Sequence, residues 1–371
     1  MRVLLINAVC GTGSTGRICW DIARGFESRG DEVRIAYGRD DCVPGECRRY
    51  AVRIGGGFGV KVHALMTRLF DRHGTGFCSL FATRRFLRWA DGFDPDLVWL
   101  HNLHGYYINF EALFAWIKSR PAMKVRWNIH DCWNFTGHCT HFQKTGCDRW
   151  LTGCHDCPEK AEYPKSLWID NSRGNYAAKK SAFLGVKDMT LVTPSEWLAD
   201  LVRRGFLGSE YPVEVVPHPY DRETFKPTPS DIRERLGLEG VRMVLCVASQ
   251  WDDRKGWDDV LALARIVDDR TRIVVVGLSA AQMRSLPSNV TGMRRTSSKR
   301  ELAELYTAAD VLFNPTKEDI YSMTNLEAAA CGCRVVTYDT GGAPEAIKDF
   351  SNKVVLSDRT PAAAWAVISE T

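Results

Sequence analysis

The chain has 371 residues, 45% of them apolar and 25% charged, with a formal net charge of +4. That length exceeds what one hydrophobic core usually serves, so two domains are expected, and the charge is too mild to point to nucleic acid. The opening MRVLLINAVCGTGSTG reads as a buried strand broken by glycines rather than an export signal, and no stretch approaches the roughly 18 apolar residues of a spanning helix.

Short apolar runs alternate with helix-period segments. Strands are predicted at 2–9, 32–37, 96–102, 124–130 and 190–195, and again at 241–249, 272–277, 311–315 and 334–339. Between them lie amphipathic helices: Ile18, Ile22 and Phe26 share one face, as do Leu302, Leu305 and Tyr306. Strand–helix alternation implies α/β architecture with parallel sheets covered on both faces. The pattern runs to about Ser195 and restarts near Val241. The intervening YPVEVVPHPYDRETFKPTPSD carries five prolines, which suit neither helices nor central strands. The expected division is therefore a domain at 1–210, a connection at 211–240 and a second domain at 241–371.

After the first strand, Gly11, Gly13 and Gly16 stand in G-x-G-x-x-G spacing. Such a loop lets backbone N–H groups and a helix N-terminus meet a phosphate, or it is simply a tight turn. With Asp40 as a ribose-binding acid, it would also suit a nicotinamide-dependent oxidoreductase. Between Phe58 and Trp89, six basic residues (Lys61, Arg68, Arg72, Arg84, Arg85, Arg88) accompany one acid, Asp71, among apolar residues. This is either a solvated helical face or a patch for an anionic membrane surface.

The segment Trp127–Pro158 holds five of thirteen cysteines and four of nine histidines. An odd number of cysteines, scattered and without an export signal, suggests reduced thiols in a cytoplasm. Within loop 138–158, Cys139, Cys147, Cys154 and Cys157 are separated by seven, six and two residues. Four thiolates would close a tetrahedral shell, making any zinc structural. Inert buried thiols and a redox or disulfide role are the other readings.

In the second half, Arg254 and Lys255 precede a helix marked by Val260, Leu263, Ala264 and Val267. Cations there oppose the helix dipole unless an anion such as a diphosphate lies between, or Asp252, Asp253 and Asp258 neutralise them. In PTKEDIYSMTNLEAAACGC, a helix is expected to begin after Thr324, with Thr324-x-x-Glu327 as a capping box. The N–H groups of Ser322, Met323, Thr324 and Asn325 would face a ligand, and Glu327 and Asp319 could accept hydroxyls.

DPDLVWLHNLHGYYIN, HDCWNFTGHC, CDRWLTGCHDCP, VTPSEWL, RKG and NLEAAACGCRVVTYDTGGAPEAI together resemble bacterial glycosyltransferase family 4, in its colanic-acid and capsule branch. The resemblance covers nearly the whole chain. It implies a GT-B fold, two Rossmann-like domains with parallel sheets facing across a cleft. It implies retaining transfer without a catalytic metal from a nucleotide-diphosphate sugar, of UDP or GDP type, to a glycan or lipid-linked saccharide. The setting would be surface polysaccharide biosynthesis in the cytoplasm, peripheral on the inner membrane face, with no nucleic-acid partner.

Position by position, the resemblance implies that Lys255 and Arg254 hold the diphosphate, Glu327 the ribose and Asp319 the donor sugar. His130 approaches the reacting sugar, either chemically or only as a hydrogen-bonding group. Gly13 and Ser14 belong to the loop facing donor phosphate. Asp319 stands where the family commonly has glutamate, Gln250 where it has arginine, and His218-Pro219 where it has Asn-Gly. An oxidoreductase, or a catalytically silent sugar-nucleotide-binding protein of the same fold, are the alternatives.

Overall fold

The computed structural model describes residues 1–39 and 42–370. The chain divides into two compact units, Met1–Pro194 with Ala199–Val216, and Ser195–Leu198 with the residues from Pro217 onward.

The first unit runs β1 (Arg2–Asn7), α1 (Gly13–Glu27), β2 (Glu32–Tyr37), β3 (Ala51–Arg53), α2 (Gly57–Phe70), α3 (Leu80–Phe93), β4 (Leu97–Leu100), α4 (Phe110–Lys118), β5 (Lys124–Asn128), α5 (Ser172–Phe183) and β6 (Met189–Thr193). Helix α6 (Glu196–Arg204) carries the division between the units, and β7 (Val213–Val215) completes the first sheet. Its order is β3-β2-β1-β4-β5-β6-β7, with every pairing parallel. Val3, Leu4, Leu5 and Ile6 are all fully buried, as a central strand covered on both faces requires. Helix α1 turns Gly16, Cys19, Ala23 and Phe26 inward. The expected Ile18 and Ile22 flank that stripe half-buried, because the small residues allow the closest approach to the sheet.

The second unit runs α7 (Ile232–Arg235), β8 (Arg242–Val247), α8 (Trp257–Ile266), β9 (Thr271–Val276), β10 (Val290–Met293), α9 (Lys299–Ala308), β11 (Val311–Asn314), α10 (Met323–Ala330), β12 (Arg334–Tyr338), β13 (Lys353–Leu356) and α11 (Pro361–Ile368). Its parallel sheet has the order β10-β9-β8-β11-β12-β13. Two apolar clusters pack in this unit, one around Leu245, Val274 and Leu312, the other around Val244, Val275 and Phe313. Segment 211–240 is shared out: β7 joins the first sheet, while Phe225, Ile232 and Leu238 enter the second unit's core. No helix among the described residues is long and apolar enough to cross a membrane.

Candidate functional site

In a doubly wound sheet, a crevice opens at the carboxyl ends of the strands where the order reverses. That point lies between β1 and β4 in the first unit and between β8 and β11 in the second.

At the first, Asn7 closes β1 and ties three segments. Its Nδ2 donates to Val9 O (2.8 Å) and Thr15 Oγ1 (3.3 Å), and its Oδ1 accepts from Asn102 N (3.3 Å). Gly11 has φ +72°, and a Cβ there would fall 2.4 Å from Cys47 Sγ, so only glycine fits the turn. Gly13 opens α1 and Ser14 is exposed in its first turn. That turn has no acidic side chain and no side-chain cap, so its N–H groups stay open to an anion. Asp40 lies outside the described residues.

His130 follows β5. Its Nε2 lies 2.9 Å from His101 Nδ1, with the rings stacked at 5.2 Å, so one of the two nitrogens donates. Next to it, Asp131 Oδ2 meets His104 Nε2 at 2.7 Å, and Oδ1 accepts from Trp133 N (2.9 Å). Burial pushes the Asp131 carboxyl up, but His104 and the Trp133 N–H outweigh it and hold it below its ordinary range.

At the second switch point a cavity of about 360 Å³ is walled by Ser249, Gly277, Arg294, Arg295, Thr324 and Glu327, among others. A neighbouring one of about 800 Å³ shares Ser249, Gly277 and both arginines, and adds Gln250 and Gln282. Glu327 Oε2 also lies 3.5 Å from the Tyr306 hydroxyl. The expected capping box is absent. Ser322 is the N-cap, its Oγ accepting from Asn325 N (3.3 Å), and α10 starts at Met323. Glu327 is thus past the first turn of α10. Asn325 is a buried fastener, its Oδ1 taking Asn314 Nδ2 (2.7 Å) while its Nδ2 donates to Thr337 and Ala343. Of the four expected loop residues, Thr324 lines the cavity and Met323 is half-buried.

Lys255 and Asp319 form a second group, outside the walls of both cavities. Lys255 Nζ pairs with Asp319 Oδ2 at 2.8 Å, the side chains 22% and 15% exposed, and Arg254 Nη1 donates to Glu318 O (3.4 Å). Gly256 has φ +76°, and a Cβ there would sit 2.3 Å from Pro315 O. Lys317 N donates to Arg254 O (2.8 Å), so the turn before α8 is sutured to the loop after β11. The nearby acids have other partners: Asp252 takes Lys255 N, while Asp253 pairs with Lys317.

In the Cys-rich loop, Cys139 and Cys154 are buried, Cys147 and Cys157 half-buried, and all are free thiols. Nearby, Asp71, His73 and His138 bring ligand-type atoms within 4.8 Å of one another. Hydrogen bonds account for that group. His73 Nδ1 accepts from Trp133 Nε1 (3.2 Å), so its Nε2 carries the hydrogen given to Asp71 Oδ1 at 2.7 Å. Arg294 and Arg295 escaped the sequence reading because the strand before them, β10, was not predicted.

The profile described as Glycosyltransferase Family 4 matches residues 15–224, and that of Glycosyl transferases group 1 matches 241–370. Relatives include WcaC of Escherichia coli K12, described as a colanic acid biosynthesis glycosyl transferase, at 23% identity over 71% of this chain and 65% of that protein. A D-inositol 3-phosphate glycosyltransferase of Streptomyces bingchenggensis is 29% identical over 67% of this chain and 59% of its own. The chain thus spans less than two thirds of the length of these relatives. Among solved structures, sucrose-phosphate synthase of Thermosynechococcus elongatus superposes with a TM-score of 0.71 at 15% identity, covering all of this chain and 89% of that one. Anabaena Alr3699/HepE in complex with UDP and glucose gives 0.63 at 14%, with the same coverage. The fold is of the GT-B class.

Proposed function

The chain belongs to glycosyltransferase family 4, and from that premise we propose that it transfers a sugar, with retention and without a catalytic metal, from a nucleotide-diphosphate sugar to a glycan or lipid-linked saccharide in surface polysaccharide synthesis. The observation that carries this is the cavity at the β8/β11 switch point, where the Glu327 carboxylate and two arginines line one space. A carboxylate accepts ribose hydroxyls, and guanidinium groups meet phosphate. UDP and UDP-glucose bind structural relatives of the same fold. The family match runs through both halves of the chain and leaves a nicotinamide-dependent reaction without support.

As the glycosyl–diphosphate bond breaks, negative charge gathers on the leaving group and the sugar becomes oxocarbenium-like. Fixed positive groups then stabilise the transition state more than the ground state. Lys255 is held by one carboxylate, Asp319. A diphosphate competes for that ammonium and draws it from Asp319 Oδ2, which then accepts donor-sugar hydroxyls. His130 orients hydroxyls or supports charge at the sugar. UDP- or GDP-sugars should raise the melting temperature while NAD does not. Addition of acceptor saccharides should then release nucleoside diphosphate. Stabilisation by NAD alone overturns the proposal, and donor binding without release under any acceptor leaves a silent binding protein instead.

The polysaccharide acceptor fits a peripheral station on an anionic membrane. Helix α2 buries only His63 and Thr67 and turns Phe58, Val62, Leu65 and Phe70 to solvent. All six basic residues between 58 and 89 are exposed, while Asp71 is buried and occupied by His73 and His138. The acid therefore does not offset the patch.

A further inference from the structure

Cys139, Cys147, Cys154 and Cys157 wall one small cavity together with His138. Small buried cysteines need no ligand, and one of them would mean nothing. Four at one cavity are different, because a fully buried histidine stands with them. Cys154 Sγ accepts from Gly137 N at 3.1 Å.

His138 supplies an independent sign. It is fully buried, and its Nδ1 lies 2.7 Å from Asp71 Oδ1. The same carboxylate takes His73 Nε2 at 2.7 Å and Asn171 N at 2.8 Å. An ionised carboxylate only accepts, so His138 Nδ1 carries the hydrogen. Its Nε2 is buried and has no partner among the described residues. Such an atom is costly unless something else meets it. A metal-bound thiolate beside it accepts a hydrogen bond from that nitrogen, as the Asp71 carboxylate does from the other. Inert thiols leave this nitrogen unexplained.

The loop needs a clip as well: between β5 and α5 its regular structure is two short 3₁₀ turns, Cys132–Asn134 and Arg149–Leu151.

We propose that this cavity is a structural metal site, in which Cys139, Cys147, Cys154 and Cys157 bind one zinc-class divalent ion as thiolates and His138, anchored by Asp71, lies against that shell. No three of the sulfurs lie mutually within 4.8 Å, so the shell closes by rotation of cysteine side chains. Each thiol yields its proton to solvent as it binds, and four protein ligands leave no position for substrate.

The full chain, grown with zinc and purified without chelator, is analysed for metal by mass spectrometry. One zinc per chain is expected, lost in Cys154→Ser and Cys157→Ser and kept in Cys42→Ser. Cobalt(II) should give thiolate charge-transfer and tetrahedral visible bands, and X-ray absorption on the zinc protein should show four sulfurs. Should the cysteine variants fail to fold, the wild-type chain still decides. Zinc must then protect four thiols from alkylation, and a chelator must expose them. Metal content near zero after zinc addition, with no protection, overturns the site. A Cys139–Cys157 disulfide in the purified protein overturns it too. A shell of three sulfurs and one nitrogen overturns the four-sulfur assignment and gives the fourth place to His138. Each readout is independent of transferase activity.

Discussion

The Lys255–Asp319 pair is partly exposed, so its loss costs the fold little, about 0–1 kcal/mol. Its loss at the transition state is another matter. Lys255→Ala should lower kcat by about 10²- to 10³-fold, the usual effect of removing one preorganised donor, with an unchanged melting curve. Near-normal turnover in a steady-state assay would remove Lys255 from the reaction. His130→Ala should depress kcat more than it raises KM, since its partner His101 holds it in place without donor. His63 makes a different prediction. Burial pulls its pKa down to about 4, against a hydrogen bond with the Tyr106 backbone that raises it. The unfolded chain's histidine titrates near 6.5. Between pH 6.5 and 4 the unfolded state therefore binds one more proton, and stability falls as pH falls, by about 1.4 kcal/mol per unit. His63→Gln should flatten the acid limb of a urea-midpoint-against-pH curve by one proton, and an unaltered slope would place the titration elsewhere. Lys255 stands out in the sequence as a charge beside a strand–helix junction, while the roles expected of Asp319 and Glu327 come from the family resemblance. His63 and Arg294 were not readable there, since burial and strand ends decide their roles.

At the scale of elements, the nine predicted strands all form. The four that were missed, β3, β7, β10 and β13, are the edges of the two sheets, three or four residues each. An edge strand is paired on one side only and often kept short, so it lacks the long apolar run by which central strands announce themselves. Missing β10 hid the arginines that follow it. The α10 start was misread for a related reason: Thr324-x-x-Glu327 has the letters of a capping box, but Ser322 reaches the helix first, because Asn314 Nδ2 also donates to its Oγ. The turn before α8 carries the sharpest element-level test. Gly256→Ala places a side chain at φ +76° and 2.3 Å from Pro315 O, so the turn must leave the loop after β11. We expect about 1–3 kcal/mol of destabilisation in a denaturant titration, with a loss of transfer well beyond that of a control. Gly25→Ala, in α1 with nothing within 4 Å of the new Cβ, is that control and should be neutral or stabilising by up to about 1 kcal/mol. Equal effects from the two would show that the turn has no special role.

At the scale of the whole molecule, the exposed apolar surface is unevenly spread. Of the fourteen large apolar side chains that face solvent among the described residues, ten belong to Phe58, Val62, Leu65, Phe70, Phe77, Phe81, Trp89, Leu167, Trp168 and Ile169. Leu167 N donates to Arg68 O, which fastens the second segment to the end of α2. A chain with a net charge of only +4 thus sets six exposed cations among its exposed aromatics. Solvation alone explains the cations but not the aromatics, whose exposure gains nothing in water. An anionic bilayer would suit both: each cation near the surface would contribute about 1 kcal/mol, and the aromatic rings would enter the headgroup region. Phe58 and Phe81, at 83% and 81% exposure, make few contacts to lose, so Phe58→Ser with Phe81→Ser should leave the melting temperature unchanged. Co-sedimentation with phosphatidylserine vesicles should fall in that variant, and fall further when Arg84, Arg85 and Arg88 are reversed to Glu. Raising salt should weaken the charge term and spare part of the apolar one. Binding that ignores lipid charge, salt and both sets of substitutions would return this face to the solvent.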